Sequence, residues 1–275
     1  MRDIYIYTHI PPHRYAPVCY LLCFTACLQV FLGTWHGHSV AVSELRTSLY
    51  IEDFKHGLEM LTLLQPSPLI TQLVGWCSEQ HRYVTEYHRH GSADILQSLL
   101  ASKSHMKNFS SPRWRFRFCV NYVNILTLLH GGSSAGVRVM CDSNDLYKLL
   151  QQFLVTADLR LVLNDLDALP EVNNTSKIKC GHREIVSDFA APEQLWPFDD
   201  VNFDDLYMPG YDEKTDIWKL PDVCMHFLGN CSECHFIRNR LFKIHNRCKE
   251  SNPGRRPSAL EVHEEYESIW KQVDF

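Results

Sequence analysis

Two apolar, strand-like runs, residues 29–35 and 39–45, flank the polar turn around His36-Gly37-His38. Strand-like runs either side of a tight glycine-bearing turn predict a β-hairpin. Over 51–65 the period changes: Phe54, Leu58, Leu61 and Leu64 fall three or four residues apart. That spacing predicts a helix with one buried face. Pro66 and Pro68 end it, because proline cannot supply a helical N–H. Residues 70–77 and 83–87 again read as strands, so one helix among strands predicts a small α+β lobe. Beyond Gly91 the pattern turns helical. Residues 92–101 form one expected helix, and 114–130 a longer one with Phe116, Cys119, Val123 and Leu126 inward. A Gly131-Gly132-Ser133-Ser134 breaker follows, then a β-rich block over 138–167 and an irregular stretch to about residue 211. Three more helices are expected at 213–229, 236–248 and 258–273, the last placing Leu260, His263, Ile269 and Trp270 at helical spacing.

Composition changes this picture in several places. Apolar residues make up 45% of the chain, enough for a real core. The net charge is -5 without any long basic run, which gives no electrostatic footprint for a nucleic-acid partner. Residues 16–35 are largely apolar and follow Arg2, His13 and Arg14. About 20 such residues span a bilayer, yet the second half of this stretch is also the first hairpin strand. Membrane anchor and strand both stand as readings. The eleven cysteines lie in core-like segments and read mostly as small buried apolar residues. Sequons at Asn108, Asn173, Asn174 and Asn230 permit a luminal location.

The chemistry lies in a series of ordered landmarks. Met140-Cys141-Asp142 follows the long helix, and an apolar strand leads into Asn164-Asp165-Leu166-Asp167. Then come Ala191-Pro192-Glu193, Thr215-Asp216-Ile217-Trp218 and Pro253-Gly254-Arg255-Arg256-Pro257. Each is common alone; in this order they match the protein-kinase series of catalytic loop, metal-binding triplet, activation-segment anchor and helical-lobe ion pair. In that series Asp142 accepts the proton of the attacking hydroxyl, and Asp165 holds a magnesium ion against the ATP phosphates. Glu193 and Arg256 form a buried ion pair, and Asp216 accepts hydrogen bonds from the catalytic-loop backbone. The bland alternative makes Asp142 and Asp165 surface carboxylates that cap turns.

The wording of the landmarks resembles the protein O-mannose kinase family: RVMCDSNDL (from Arg138), NDLDALP (from Asn164), KCGHRE (from Lys179), DFAAPEQLWP (from Asp188), YDEKTDIWKLPD (from Tyr211) and FKHGLEML (from Phe54). The resemblance runs from about Val30 to the C-terminus. It implies an α+β, bilobal protein-kinase-like fold with a shortened β-rich N-lobe and a mainly helical C-lobe. The domains expected are a divergent or truncated segment over 1–28 that is a candidate anchor, an incomplete N-lobe over 29–89, and a C-lobe over 90–275. It further implies a phosphotransferase using ATP and Mg2+ on the 6-hydroxyl of an O-linked mannose, within a trisaccharide on alpha-dystroglycan. The expected setting is the endoplasmic reticulum membrane, type II with a single span, with a luminal and monomeric catalytic domain. Glu86 and Tyr87 are the expected adenine-binding hinge.

Three departures set the alternative. The strand that carries the phosphate-gripping lysine in ordinary kinases reads Val40-Ala41-Val42-Ser43, and Gly57 stands in place of its glutamate partner. The glycine-rich loop and lysine expected before Val30 are replaced by CFTACLQ (from Cys23). In the catalytic loop, Tyr147 stands where a metal-binding asparagine is usual, and Cys141 where an arginine reads a phosphorylated activation segment. Asn144, Asp145 and Lys148 are the candidates to take over part of the asparagine's role, Asn144 as a second metal ligand. The rival reading is therefore a catalytically weak pseudokinase that binds glycan or a protein partner. Cys231-Ser232-Glu233-Cys234-His235 has the form of a haem-attachment motif but lacks any sign of a pocket or second axial ligand.

Overall fold

The computed structural model describes residues 16–24, 27–102, 111–131, 135–173 and 177–272. The basic residues ahead of the apolar stretch and the sequons at Asn108 and Asn174 lie outside these. The chain forms two compact units, one of residues 1–89 with 162–168, the other of 90–161 with 169–275.

The first unit is a five-stranded antiparallel sheet in the order β1-β2-β3-β5-β4, with one helix. Its strands are β1 (Ala16–Phe24), β2 (Leu28–Trp35), β3 (His38–Leu45), β4 (Leu73–Cys77) and β5 (Arg82–Glu86). The expected hairpin is present: β2 and β3 pair from Leu28↔Leu45 to Trp35↔His38. Its turn has His36 at φ 47° and Gly37 at φ 82°, the left-handed pair that matches strand twist. Val40, Val42 and Val84 form the inner face, covered by Phe31, Trp35 and Val74. Helix α1 (Ile51–Leu63) buries Phe54, Gly57, Met60 and Leu61.

Of the two readings of 16–35, anchor and strand, the structure describes strands in this stretch. β1 and β2 lie within that stretch and pair antiparallel, from Ala16↔Thr34 to Phe24↔Gln29. Among the described residues no helix is long and apolar enough to cross a membrane. Residues 162–168 belong to this unit through backbone hydrogen bonds: Leu163 N donates to Leu69 O at 2.8 Å, and Thr71 N to Leu163 O at 2.9 Å.

The second unit is mainly helical, with α2 (Leu96–Ser102), α3 (Pro112–His130), α4 (Leu146–Gln151), α5 (Lys214–Leu228), α6 (His235–Cys248) and α7 (Ala259–Gln272). Short strands β6 (Val137–Arg138) and β9 (Glu171–Val172) pair antiparallel. β7 (Phe153–Val155) follows α4, and β8 (Leu161–Leu163) leads into 162–168. Helix α3 is the core of this unit, burying Phe116, Phe118, Tyr122, Val123, Leu126 and Leu129 among others. Phe116 meets Tyr266 of α7, and Phe118 meets Phe227 of α5, at ring separations of 5.5 and 5.8 Å.

Three sequence expectations need correction. The block over 138–167 contains helix α4, which Asp145 caps by accepting from Tyr147 N and Lys148 N. In α7 the inward residues are Ala259, Val262, Tyr266 and Ile269, whereas Leu260 points outward. Among the described residues six cysteines are paired as Cys119–Cys224, Cys141–Cys180 and Cys231–Cys234, while Cys27, Cys77 and Cys248 are free and buried.

Candidate active site

In the helical unit the site is built on the turn 140–144. Asp142 has φ 52°, a left-handed conformation that side-chain-bearing residues adopt at a cost. Such strain persists only where the surroundings over-determine it, and here each neighbour is tied down. Met140 N donates to Asp216 Oδ2 at 3.0 Å, and His130 Nε2 lies 3.1 Å from the same oxygen. Cys141 is bridged to Cys180. Gln152 Nε2 donates to the carbonyls of Cys141 and Asp142, at 3.2 and 2.7 Å. Ser143 Oγ donates back to Met140 O and accepts from Lys219 Nζ at 2.6 Å. Ser187 Oγ donates to Asn144 O at 2.6 Å.

The Asp142 side chain emerges from this cage largely exposed and paired with Lys148 Nζ at 2.9 Å. A carboxylate on an immobile backbone, open to solvent and beside a movable cation, suits proton transfer from an incoming hydroxyl. Of the candidates for the missing asparagine, Asp145 is spent on capping α4 and Lys148 on Asp142. Asn144 Oδ1 is buried without a hydrogen-bond partner, an oxygen suited to a cation or a donor. Tyr147 is exposed, with its ring edge-on to His226.

Behind the turn, Arg256 grips Glu193 with two hydrogen bonds, Nη1–Oε1 at 2.5 Å and Nη2–Oε2 at 2.8 Å, and is itself buried. This is the ion pair expected from the sequence, in the bidentate geometry that only arginine offers. The segment between is fastened by Lys179 and His182, both on Asp205, at 2.9 and 2.8 Å. Those two hydrogen bonds, His182 first, hold the Asp205 carboxyl below its usual range.

In the sheet unit, Asp165 lines a small pocket with Cys27, Asp53, Gly57, Tyr83, Asn164 and Asp167. Burial, then the carboxylates of Asp167, Asp53 and Asp165, push the Cys27 thiol up to about 12. Burial and the Asp165 charge likewise raise Tyr83. A pocket that penalises further negative charge favours a cation, and hard carboxylate oxygens suit magnesium. Asp165 therefore fits a metal-ligand role. Among the described residues no Lys or Arg lines this pocket. Ser43, in the place of the phosphate-gripping lysine of ordinary kinases, hydrogen-bonds Tyr83. Gly57, in the glutamate's place, lies against Asp167, whose Cβ and Cα would stand 3.3 and 3.4 Å from an added Cβ.

Glu86 ends β5. Its N–H donates to Gln72 O and its carboxylate accepts from Gln72 N, each at 3.0 Å, so both groups are committed within the sheet unit. Tyr87 follows it in the chain. Cys231 and Cys234 pair with each other, which disposes of the haem motif. Sequence reasoning missed Lys219, Gln152 and Cys180. Only their position in the fold makes them neighbours of Asp142.

A sheet unit with a single helix, a helical unit around α3, and the landmarks from Asp142 to Arg256 define a phosphotransferase of protein-kinase-like fold. No family model matches the chain. Curated relatives do. Protein O-mannose kinase of Homo sapiens is 45% identical over 247 residues, 89% of this chain and 70% of that protein. The proteins of the same name from Gallus gallus and Xenopus laevis are 46% and 44% identical over 247 residues, 89% of this chain and 69% of each. The chain belongs to the protein O-mannose kinase family.

Proposed function

We propose that this chain is a carbohydrate kinase that transfers the γ-phosphoryl group of ATP, with Mg2+, to the 6-hydroxyl of an O-linked mannose. The acceptor is a trisaccharide on alpha-dystroglycan, and the setting is the lumen of the endoplasmic reticulum, with type II membrane anchoring. The observation that carries the kinase reading is the caged turn at 140–144, which spends six side-chain hydrogen bonds and a disulfide on presenting one exposed carboxylate.

In this reading Asp142 would accept the hydroxyl proton, Asp165 would be a metal ligand of the sheet unit, and Asn144 would be the candidate metal ligand of the helical unit. Glu86 and Tyr87 border adenine, with Tyr87 left to supply the backbone donor because the Glu86 N–H is committed. A bound magnesium ion supplies neutralisation of phosphate charge. Three disulfides support an oxidising compartment, and the exposed Asn230 sequon is compatible with one.

The rival, a glycan-binding pseudokinase, rests on the sequence, where CFTACLQ replaces the glycine-rich loop and Ser43 the phosphate-gripping lysine. Thermal-shift titrations separate the two. A kinase gains stability with Mg2+-ATP, about 2.7 kcal/mol at a hundredfold excess over Kd, and Asp165→Asn loses that gain. A shift with glycan but none with nucleotide would sink the enzyme reading.

A further inference from the structure

Lys219 lies on α5 and is 0% exposed. Burying an ammonium costs several kcal/mol unless charge and hydrogen-bond partners compensate. Its Nζ donates to Ser143 Oγ at 2.6 Å, and Ser143, also fully buried, donates on to Met140 O. This chain of contacts closes the turn on the side following Asp142, as Asp216 closes it on the side preceding. We infer that Lys219 is a positioning residue of the phosphotransfer reaction, acting through Ser143 to hold Asp142 in its left-handed conformation. The inference rests on the reading of Asp142 as the base.

An apolar side chain of similar length would fill the same space without the desolvation cost. What only the lysine provides is a fixed donor to Ser143, which leaves the serine proton for Met140 O. The charged groups facing it come from several elements. Asp216 on its own helix and Glu193 favour the ammonium, while burial and Lys249 oppose it more strongly, bringing its pKa down to about 8. Glu193 is itself held by Arg256, and Asp216 by His130. The ammonium therefore begins to lose its proton within reach of ordinary assay conditions, whereas a guanidinium at the same place does not titrate.

The test is steady-state kinetics of the full chain with ATP, Mg2+ and the O-mannosyl trisaccharide, for Lys219→Met, Lys219→Arg, Ser143→Ala, the Met/Ala double variant and Asp142→Asn. Lys219→Met and Ser143→Ala are each expected to lower kcat on the order of tenfold to a hundredfold, with both KM values within about threefold of the parent. The double variant is expected to be no slower than the slower single, because both break one link. The parent's kcat should fall above about pH 8, and Lys219→Arg should keep its rate there. Multiplying effects, or a full kcat per folded molecule in Lys219→Met, overturn the inference. If Lys219→Met does not fold, Ser143→Ala decides: an unchanged kcat and alkaline limb overturn it equally. Full activity in Asp142→Asn would instead refute the base assignment.

Discussion

Asp142 shows how one strained residue reports on its surroundings. A left-handed aspartate is costly, so the six side-chain hydrogen bonds around it are a cage rather than incidental contacts. Asp142, Asp216, Glu193 and Arg256 were legible in the sequence because their chemistry restricts the residue type and their order along the chain is diagnostic. Lys219 and Cys180 were not, since they lie 76 and 39 residues from their partners and look locally like ordinary helix and loop residues.

His245 carries a separate prediction at this scale. It is buried on α6 against Tyr266 Oη at 2.6 Å, and burial, then the Lys249 charge, lowers its pKa from 6.5 to about 4. The unfolded chain therefore binds more protons than the folded one between those values, so stability is full above about pH 6.5 and drains away as pH falls toward 4. The contribution is roughly 3 kcal/mol. Urea unfolding across this window should show a steeper acid loss for the parent than for His245→Gln; parallel curves would contradict it.

Among the elements, α1 makes the sharpest case. A glycine inside a helix costs about 0.5–1 kcal/mol relative to alanine, yet Gly57 sits in its middle, where an added Cβ would press on Asp167 at 3.3 Å from its Cβ and 3.4 Å from its Cα. Gly57→Ala is expected to leave thermal stability nearly unchanged and lower kcat/KM for ATP about tenfold, with Gly57→Leu losing a hundredfold or more. Parental activity in the leucine variant would show that this contact does not position Asp165. The longer elements were readable, as their periods run over three turns or several strand pairs. Helix α4 was missed because six residues are too few for a 3.6 period to show, although its Asp145 cap was in view. The apolar run at 16–35 read as an anchor or, in its second half, as a strand because its composition suits both, and the β1–β2 pairing is a property of the fold that composition does not show.

At the scale of the molecule, two compact units divide the chemistry. The sheet unit carries a carboxylate pocket around Asp165, and the helical unit carries the exposed carboxylate of Asp142. The helical unit is also stapled: Cys119–Cys224 joins α3 to α5 across 105 residues, and Cys141–Cys180 fastens the segment around Lys179 to the turn that carries Asp142. That second bridge stands where other kinases use an arginine to read phosphate. An odd set of scattered cysteines gave no way to pair them, since connectivity is a property of the fold and not of spacing. Family membership and these two sites together lead to phosphoryl transfer onto a sugar hydroxyl. The direct measurement is phosphorus-edited NMR of the product formed from ATP, Mg2+ and the O-mannosyl trisaccharide. The expected spectrum places one phosphate on carbon 6 of the mannose, with Asp142→Asn forming it on the order of a hundredfold to ten-thousandfold more slowly. No phosphosugar, or equal product from both proteins, would contradict it.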